Sequence, residues 1–440
     1  MRTMHRSIGV AALAATLFLV GGLVAWRPTP DTARVAPPMA ADALIAPLAT
    51  SASLDRTVAE LQAHLTAEPA DARSFALLGA AYSQQALRTA DPSYYPRAEE
   101  ALRRSLELQP ADNVAALVGM GVIALARHDF AGGLRWGRRA RHLNPDSAHI
   151  LGVIGDGQLE LGRYRQAFAT FDRMARMRPD IASYARVSYA RELQGDVRRA
   201  LETMRAAEQA AGTPDDAAWV SHQIGELYFR SGRLRPAAQA YRRSAALAPA
   251  FIPARAGMAK VAWARGKIDR AIHGYRWVVR RFPLPEHVIA LGDLYAIAQR
   301  TAAARDAYAL AHAEARLFRA NGVNVDVELA LFEADHGDPI AALADARAGW
   351  RSRHSVDAAD ALAWAQYRNG RYARAARYER TALRLGTQDA SFLFHAGMIQ
   401  RALGHRKAAA RYLGAALATN PYFSILHAAR AGRIAQRLTA

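Results

Sequence analysis

Apolar residues recur at helical spacing along most of the chain, in short stretches that end at glycine or proline. In one such stretch, Leu151, Ile154 and Gly155 fall at i, i+3 and i+4, so they share one face of a helix. Gly162 tolerates the backbone conformation that ends a helix, a second apolar face follows it, and Pro179 stops that second helix. The pattern predicts two short antiparallel helices.

This helix pair is repeated along the chain. Prolines recur at intervals close to 34 residues or its multiples, at Pro110, Pro145, Pro179, Pro249, Pro283 and Pro421. Glycines between the two helices follow the same period, at Gly162, Gly195, Gly232, Gly266, Gly337, Gly370 and Gly404. Two residue types that agree on one period indicate an internal repeat.

Small residues occupy the same two positions of each repeat, where they let the paired helices approach closely. The eighth position holds Gly155, Ser188, Gly225, Ala259, Gly292, Ala330, Ala363 and Gly397. The twentieth holds Ala167, Ala200, Ala237, Ala271, Ala304, Ala342, Ala375 and Ala409. With the terminal prolines, this pattern resembles the tetratricopeptide repeat. The resemblance implies an all-α fold, a right-handed superhelical solenoid of about ten helix-turn-helix repeats with a C-terminal capping helix.

The repeats divide the chain into five segments. Residues 72–421 form the predicted array, preceded by an N-terminal capping helix at 54–71 and followed by a C-terminal capping helix at 422–440. A Pro/Ala-rich linker covers 27–53, because proline fixes φ and lacks an N–H. Residues 1–26 form a membrane anchor or signal segment.

The N-terminal segment has the length of a membrane span. From Ile8 to Trp26 it is uncharged, and Arg2 and Arg6 precede it, which favours a cytoplasmic N-terminus. A cleaved signal peptide is the alternative, although Leu23 would stand where a small residue is usual. We therefore expect a single-pass protein of the bacterial cytoplasmic membrane with an extracytoplasmic array. If the segment is cleaved, the protein is secreted or periplasmic.

The composition narrows the possible chemistry. The absence of cysteine excludes disulfides, cysteine nucleophiles and iron–sulfur clusters. The formal charge is +19, and three lysines stand against 55 arginines. Spread along the chain, the arginines are typical of solvated outer helix faces. The alternative is that a basic convex surface binds nucleic acid or another polyanion, although an exported array argues against nucleic acid.

No catalytic constellation is present in the sequence. Gly119 to Ala124 matches a dinucleotide-binding pattern, but no strand precedes it and its glycines occupy repeat positions. The group of Asp335, His336 and Asp338 lies at a turn, where solvated polar residues are expected. We predict a protein that is not an enzyme and has no catalytic residues, metal or cofactor. An accessory subunit of an enzyme or assembly complex is a further alternative.

In the resembling family, ligand peptides lie in a concave groove lined by the first helix of each repeat. On this chain the corresponding positions combine aromatic and charged residues, which suits a peptide or protein ligand. The predicted partner-binding residues are Tyr189, Trp219, His222, Glu226, Phe229, Arg230, Lys260, Trp263, Trp364, Tyr367 and Arg368. The predicted function is a non-catalytic, membrane-tethered interaction scaffold. Each of these aromatics also has the alternative role of filling space between neighbouring first helices.

Overall fold

The computed structural model describes residues 51–439, and every regular element in that range is an α-helix. The 22 helices of this range include ten consecutive helix pairs, with one helix before them and one after. The predicted all-α repeat fold with a C-terminal helix is therefore confirmed. In the last eight pairs the first helix carries the predicted small eighth position and the second carries the alanine, whereas the second helix of the second pair has Gly133 at the alanine position.

The first helix, α1, is Ser51–Ala67, and the last, α22, is Ala428–Thr439. Between them lie the pairs α2 (Ala72–Thr89) and α3 (Tyr94–Leu108), α4 (Val114–Ala126) and α5 (Phe130–Leu143), α6 (Ala148–Glu160) and α7 (Tyr164–Met177), α8 (Ile181–Leu193) and α9 (Val197–Gln209), α10 (Pro214–Arg230) and α11 (Leu234–Leu247), α12 (Ile252–Ala264) and α13 (Ile268–Val279), α14 (Pro285–Ile297) and α15 (Thr301–Ala320), α16 (Asp326–His336) and α17 (Pro339–Ser352), α18 (Val356–Arg368) and α19 (Tyr372–Ala382), and α20 (Ala390–Ala402) and α21 (Arg406–Thr419).

Local sequence signals set the helix ends. The Asp389 carboxylate accepts hydrogen bonds from the backbone N–H groups of Ser391 and Phe392 at 2.7 and 3.0 Å, which caps α20. Gly162 ends α6 with φ 72°, as its position predicted. Gln299 replaces the usual glycine after α14 and still adopts φ 58°. The repeat geometry therefore imposes the left-handed turn even where the residue does not favour it.

The described residues belong to two compact units. Unit 1 contains residues 51–186, 210–216 and 316–324. In its core, a Cβ atom added to Gly155 would lie 2.3 Å from Cε1 of Phe171, so the close contact between α6 and α7 requires glycine. Leu102 fills the corresponding space beside Gly79 and Gly119. At these positions a large side chain of the neighbouring helix therefore packs against a small residue.

Unit 2 contains residues 187–209, 217–315 and 325–439. Tyr241 is fully buried against two glycines, because a Cβ atom at either Gly225 or Gly257 would lie 2.5 Å from its ring. At the end of the array, Ile434 and Leu438 of α22 pack against the core formed by α16 to α21. This helix therefore covers apolar surface of the last pairs, which is the function of a capping helix.

Within unit 2, segments far apart in sequence touch each other. The Thr387 hydroxyl donates a hydrogen bond to the backbone oxygen of Leu193 at 2.6 Å. Pro421 lies close to the turn at Gly232, where its Cδ would be 3.1 Å from an added Cβ atom. Ile425 packs against the core of α12 to α14. These contacts join the ends of α8 and α10 to the segments that precede α20 and follow α21.

None of the helices in residues 51–439 is both long and apolar enough to cross a bilayer. The predicted anchor at Ile8–Trp26 and most of the predicted linker lie outside the described residues. The domain boundaries expected from the sequence stay predictions.

Candidate partner-binding site

Glu226 on α10 is the centre of a charged cluster in unit 2. Its carboxylate accepts hydrogen bonds from the Lys260 ammonium group at 2.8 and 2.9 Å. The Tyr241 hydroxyl donates to the same carboxylate at 2.7 Å. The Glu226 side chain is 12% exposed and that of Lys260 is 28% exposed. Solvent therefore reaches the lysine more than the glutamate.

Arg230 and Glu192 form a second ion pair beside the first. The Arg230 Nε lies 2.8 Å from the Glu192 Oε1, and the Arg230 side chain is 37% exposed. The Lys260 ammonium also lies 5.0 Å above the Phe229 ring. Lys260 is therefore a partly exposed cation over a buried aromatic ring, and Arg230 is a second partly exposed cation. Such cations attract anionic groups.

Burial and charge act in opposite directions on the groups of this cluster. Burial opposes ionisation of Glu226, but Lys260, His222 and Arg230 hold its pKa below the usual range. Burial lowers the pKa of His222 to about 4, with Lys260 and Arg230 adding to the effect against the opposing charge of Glu226. At neutral pH Glu226 is therefore ionised and the His222 imidazole is neutral.

A second cluster surrounds Trp364 on α18. The indole is fully buried, stacks on the His395 ring at 4.2 Å between centroids, and stacks on Tyr367 at 4.7 Å. Its Nε1 donates a hydrogen bond to Asp335 at 2.8 Å, and Arg368 lies 3.8 Å from the same oxygen. This cluster is a packed aromatic core with a satisfied polar edge.

Three glutamates on α14, α15 and α16 interact electrostatically in unit 2. Glu314 is fully buried, and neither of its carboxyl oxygens has a hydrogen-bond partner. Burial and the nearby Glu286 raise the pKa of Glu314 to about 9. Burial raises the pKa of Glu286 to about 8, with contributions from Glu226 and Glu328 opposed by Lys260. Glu314 and Glu286 therefore hold protons at neutral pH.

The structure brings together most of the predicted partner-binding residues, in two groups. His222, Glu226, Phe229, Arg230 and Lys260 form the first cluster. Trp364, Tyr367 and Arg368 belong to the second cluster.

The remaining three predicted residues lie around the first cluster. Tyr189 is half-buried within electrostatic range of Arg230. Trp219 is buried, whereas Trp263 is half-buried against the core of α12 to α14. Their role in binding a partner stays a prediction.

Sequence reasoning placed Asp335 and His336 at a solvated turn, whereas both lie on α16. Asp335 accepts a hydrogen bond from Trp364, and the His336 side chain is 8% exposed.

Sequence reasoning also missed Glu314 and Glu328. Glu314 lies in the C-terminal half of α15, which continues for 20 residues because no proline or glycine interrupts it before Gly322. That missing stop signal is visible in the sequence. The described residues contain no group of three or more His, Asp or Glu side chains placed to hold a metal ion.

Residues 94–148 and 257–318 match the family model of the tetratricopeptide repeat. These two stretches therefore carry tetratricopeptide repeats. Proteins of this family are generally non-catalytic scaffolds that bind protein partners. No curated protein sequence shows significant similarity to the chain.

Several solved structures are similar to the chain. The APC/C hetero-tetramer Cut9–Hcn1 matches with 16% identity and a TM-score of 0.40, over 84% of this chain and 76% of that one. A thermophilic tetratricopeptide repeat protein of Thermus thermophilus, TTC0263, matches with 20% identity and a TM-score of 0.36, over 39% and 91%. The human IFIT1 dimer with PPP-AAAA matches with 19% identity and a TM-score of 0.44, over 72% and 73%.

Proposed function

We propose that the protein is a non-catalytic scaffold whose first helices in unit 2 bind a peptide or protein segment beside Glu226. The observation that carries this proposal is the charged cluster, in which Arg230 and Lys260 are partly exposed and Lys260 lies over the buried ring of Phe229. A carboxylate of the partner can share Lys260 with Glu226, and an apolar side chain can pack on the half-buried Trp263. Such mixed aromatic and cationic surfaces are typical of binding hot spots.

The half-buried Trp263 extends this surface toward α12 to α14. It stands three residues after Lys260, one helical turn along α12, so both side chains can contact one extended ligand. Ile425 packs against the same core. We propose that the ligand enters beside the segment that carries Ile425.

A binding titration with variants tests the proposed surface. The partner is first captured from membranes by cross-linking to the full-length protein and identified. Trp263→Ala then weakens its binding by more than ~10-fold, because truncating an interface aromatic often costs at least ~2 kcal/mol. Trp136→Ala is the matched control, since this tryptophan is also half-buried but belongs to a second helix of unit 1. Equal weakening by both variants, or unchanged binding by Trp263→Ala, contradicts the proposal.

We also propose that residues 8–26 tether the scaffold to the membrane with the repeats on the extracytoplasmic side. The uncharged stretch and the arginines before it support this topology. A C-terminal reporter that is active only in the cytoplasm stays silent if the topology is right. A mature protein that begins near Trp26 and is free in solution contradicts the tether.

A further inference from the structure

Positive charge is concentrated in one part of the chain. Residues 233–281 contain twelve basic residues and a single acidic residue, Asp269, so this stretch carries a formal charge of +11 out of +19. Lys260 pairs with Glu226, and the other eleven basic residues are all exposed. The expectation that basic residues are spread evenly is therefore too simple. The concentration lies on α11, α12 and α13 and on the turns between them.

Few carboxylates neutralise this stretch. Asp269 is paired with Arg300 at 2.6 Å, and Arg243 with Glu208 at 3.0 Å. Within the described residues, Arg276 and Arg280 form no ion pair with an acid. Arg276 lies in the last turn of α13 and Arg280 is the residue that caps its C-terminus, four positions on, so both lie on the same side of that helix.

Two more arginines of this stretch stack on the Trp277 ring. The guanidinium carbon of Arg255 lies 4.7 Å from the centroid of the Trp277 ring, and that of Arg281 lies 4.2 Å from it. Stacking on an indole holds a guanidinium flat and leaves much of its N–H edge free. Each edge can then donate two parallel hydrogen bonds to a carboxylate.

The same geometry argues against two other anionic partners. Because guanidinium groups already lie over the Trp277 ring, the ring is less available to stack on a nucleobase. No large apolar side chain of residues 233–281 is strongly exposed, so this surface has no side chain with which to enter a bilayer. The paired guanidinium edges of Arg255, on α12, and Arg281, in the turn after α13, suit a row of carboxylates on a polypeptide.

We infer that Arg255, Arg276, Trp277, Arg280 and Arg281 form a docking surface for an acidic segment of a protein partner, rich in Asp and Glu. This guanidinium surface is distinct from the cluster around Glu226, because it uses the α13 side chains and the start of α12. The scaffold can therefore hold one ligand at Glu226 and an acidic segment at the guanidinium surface.

A titration of full-length protein in neutral detergent with a fluorescent poly-glutamate peptide tests the inference. We expect the anisotropy to show binding that weakens as salt is added, because exposed charges are screened. The double variant Arg255→Gln/Arg281→Gln reduces affinity by ~10-fold, equivalent to ~1.4 kcal/mol. Arg276→Gln/Arg280→Gln gives a similar loss without disturbing the Trp277 stacking, so a folding defect in the first variant leaves the test intact.

The control is Arg138→Gln/Arg139→Gln on α5. It removes the same charge, and Arg139 also lies over a tryptophan ring, that of Trp136, at 4.9 Å. We expect this control to bind the peptide as the unmodified protein does. An equal loss in the control assigns the binding to net charge and overturns the inference.

Two competitors decide the class of partner. A single-stranded oligonucleotide and vesicles of anionic phospholipid are compared with the peptide at equal charge concentration and equal salt. The inference requires the peptide to bind most tightly. Tighter binding of the oligonucleotide or the vesicles, lost in the Arg255→Gln/Arg281→Gln variant, assigns the surface to nucleic acid or membrane and overturns the acidic-segment partner.

Discussion

Helices α4 and α10 occupy the same place in their repeats but differ in the chemistry of their side chains. The residues of α4, in unit 1, include no charged side chain. Helix α10 contributes His222, Glu226 and Arg230 to the clustered ion pairs of unit 2. Both helices fit the same repeat, because small residues set the backbone contact in each. The repeat thus fixes the residues at which the paired helices touch. Positions outside that contact can differ between repeats and carry function.

The largest effect that sharpens this comparison concerns Trp364 in unit 2. Trp364→Ala removes a fully buried indole that stacks on two rings and donates a hydrogen bond to Asp335. We expect a loss of ~3–5 kcal/mol in unfolding free energy, as for other buried aromatics. Chemical denaturation measures it. A loss below ~1 kcal/mol means that the second cluster is not a packed core and can instead open to a partner.

The next effect tests the framework in unit 1. Gly155→Leu forces a side chain into the space of Phe171 and costs ~1–3 kcal/mol or more, which lowers the melting temperature. An unchanged melting curve shows that the assigned helix contact is wrong.

The buried carboxyl group of unit 2 gives a pH-dependent prediction. Glu314 in the folded chain has a pKa of about 9 because of burial and Glu286, whereas an unfolded glutamate titrates near ~4.3. The folded state therefore holds a proton that the unfolded state releases, and stability falls as pH rises through this range. Glutamine cannot ionise, so Glu314→Gln does not lose stability in this way. We expect its free energy of unfolding, relative to that of the unmodified protein, to rise by ~1 kcal/mol per pH unit between pH ~6 and ~9.

Thermal melts at each pH measure the advantage of Glu314→Gln. The control is Glu107→Gln, which changes an exposed glutamate of unit 1. A constant difference between the Glu314 variant and the unmodified protein across this pH range means that Glu314 is ionised in the folded state and has a partner there.

The smallest effect is a gain in stability. Gly414 on α21 is exposed, and a Cβ atom added to it meets nothing within 4 Å. Gly414→Ala therefore stabilises the helix by ~0.5–1 kcal/mol through lower backbone entropy in the unfolded chain. Denaturant midpoints with unchanged slope measure the gain. A loss of stability means that a neighbouring side chain occupies this space.

The framework could be predicted from the sequence because it depends on local signals. Gly155 marks the position where two helices touch, and Gly162 marks the end of a helix. Gln299 shows that the period predicts a turn even without its glycine. The length of α15 was less clear, since only the absence of a stop before Gly322 indicates it.

The sites were harder to predict because they depend on which helices become neighbours. The spacing predicts that Glu226 and Lys260 lie at equivalent positions of adjacent repeats, so their pairing follows from the sequence. The hydrogen bond from Thr387 to Leu193 joins residues almost two hundred positions apart. No local signal encodes that contact, so it could not be predicted from the sequence.

Site-specific photo-cross-linking tests most directly the claim that function lies on the charged first helices of unit 2. One probe replaces Trp263 on α12 and the other replaces Leu125, the equivalent position on α4. Each protein is irradiated with the purified partner, and the cross-linked peptide is mapped by mass spectrometry. We expect one discrete adduct at position 263 and none at position 125. An adduct at position 125 with none at 263 would contradict the claim.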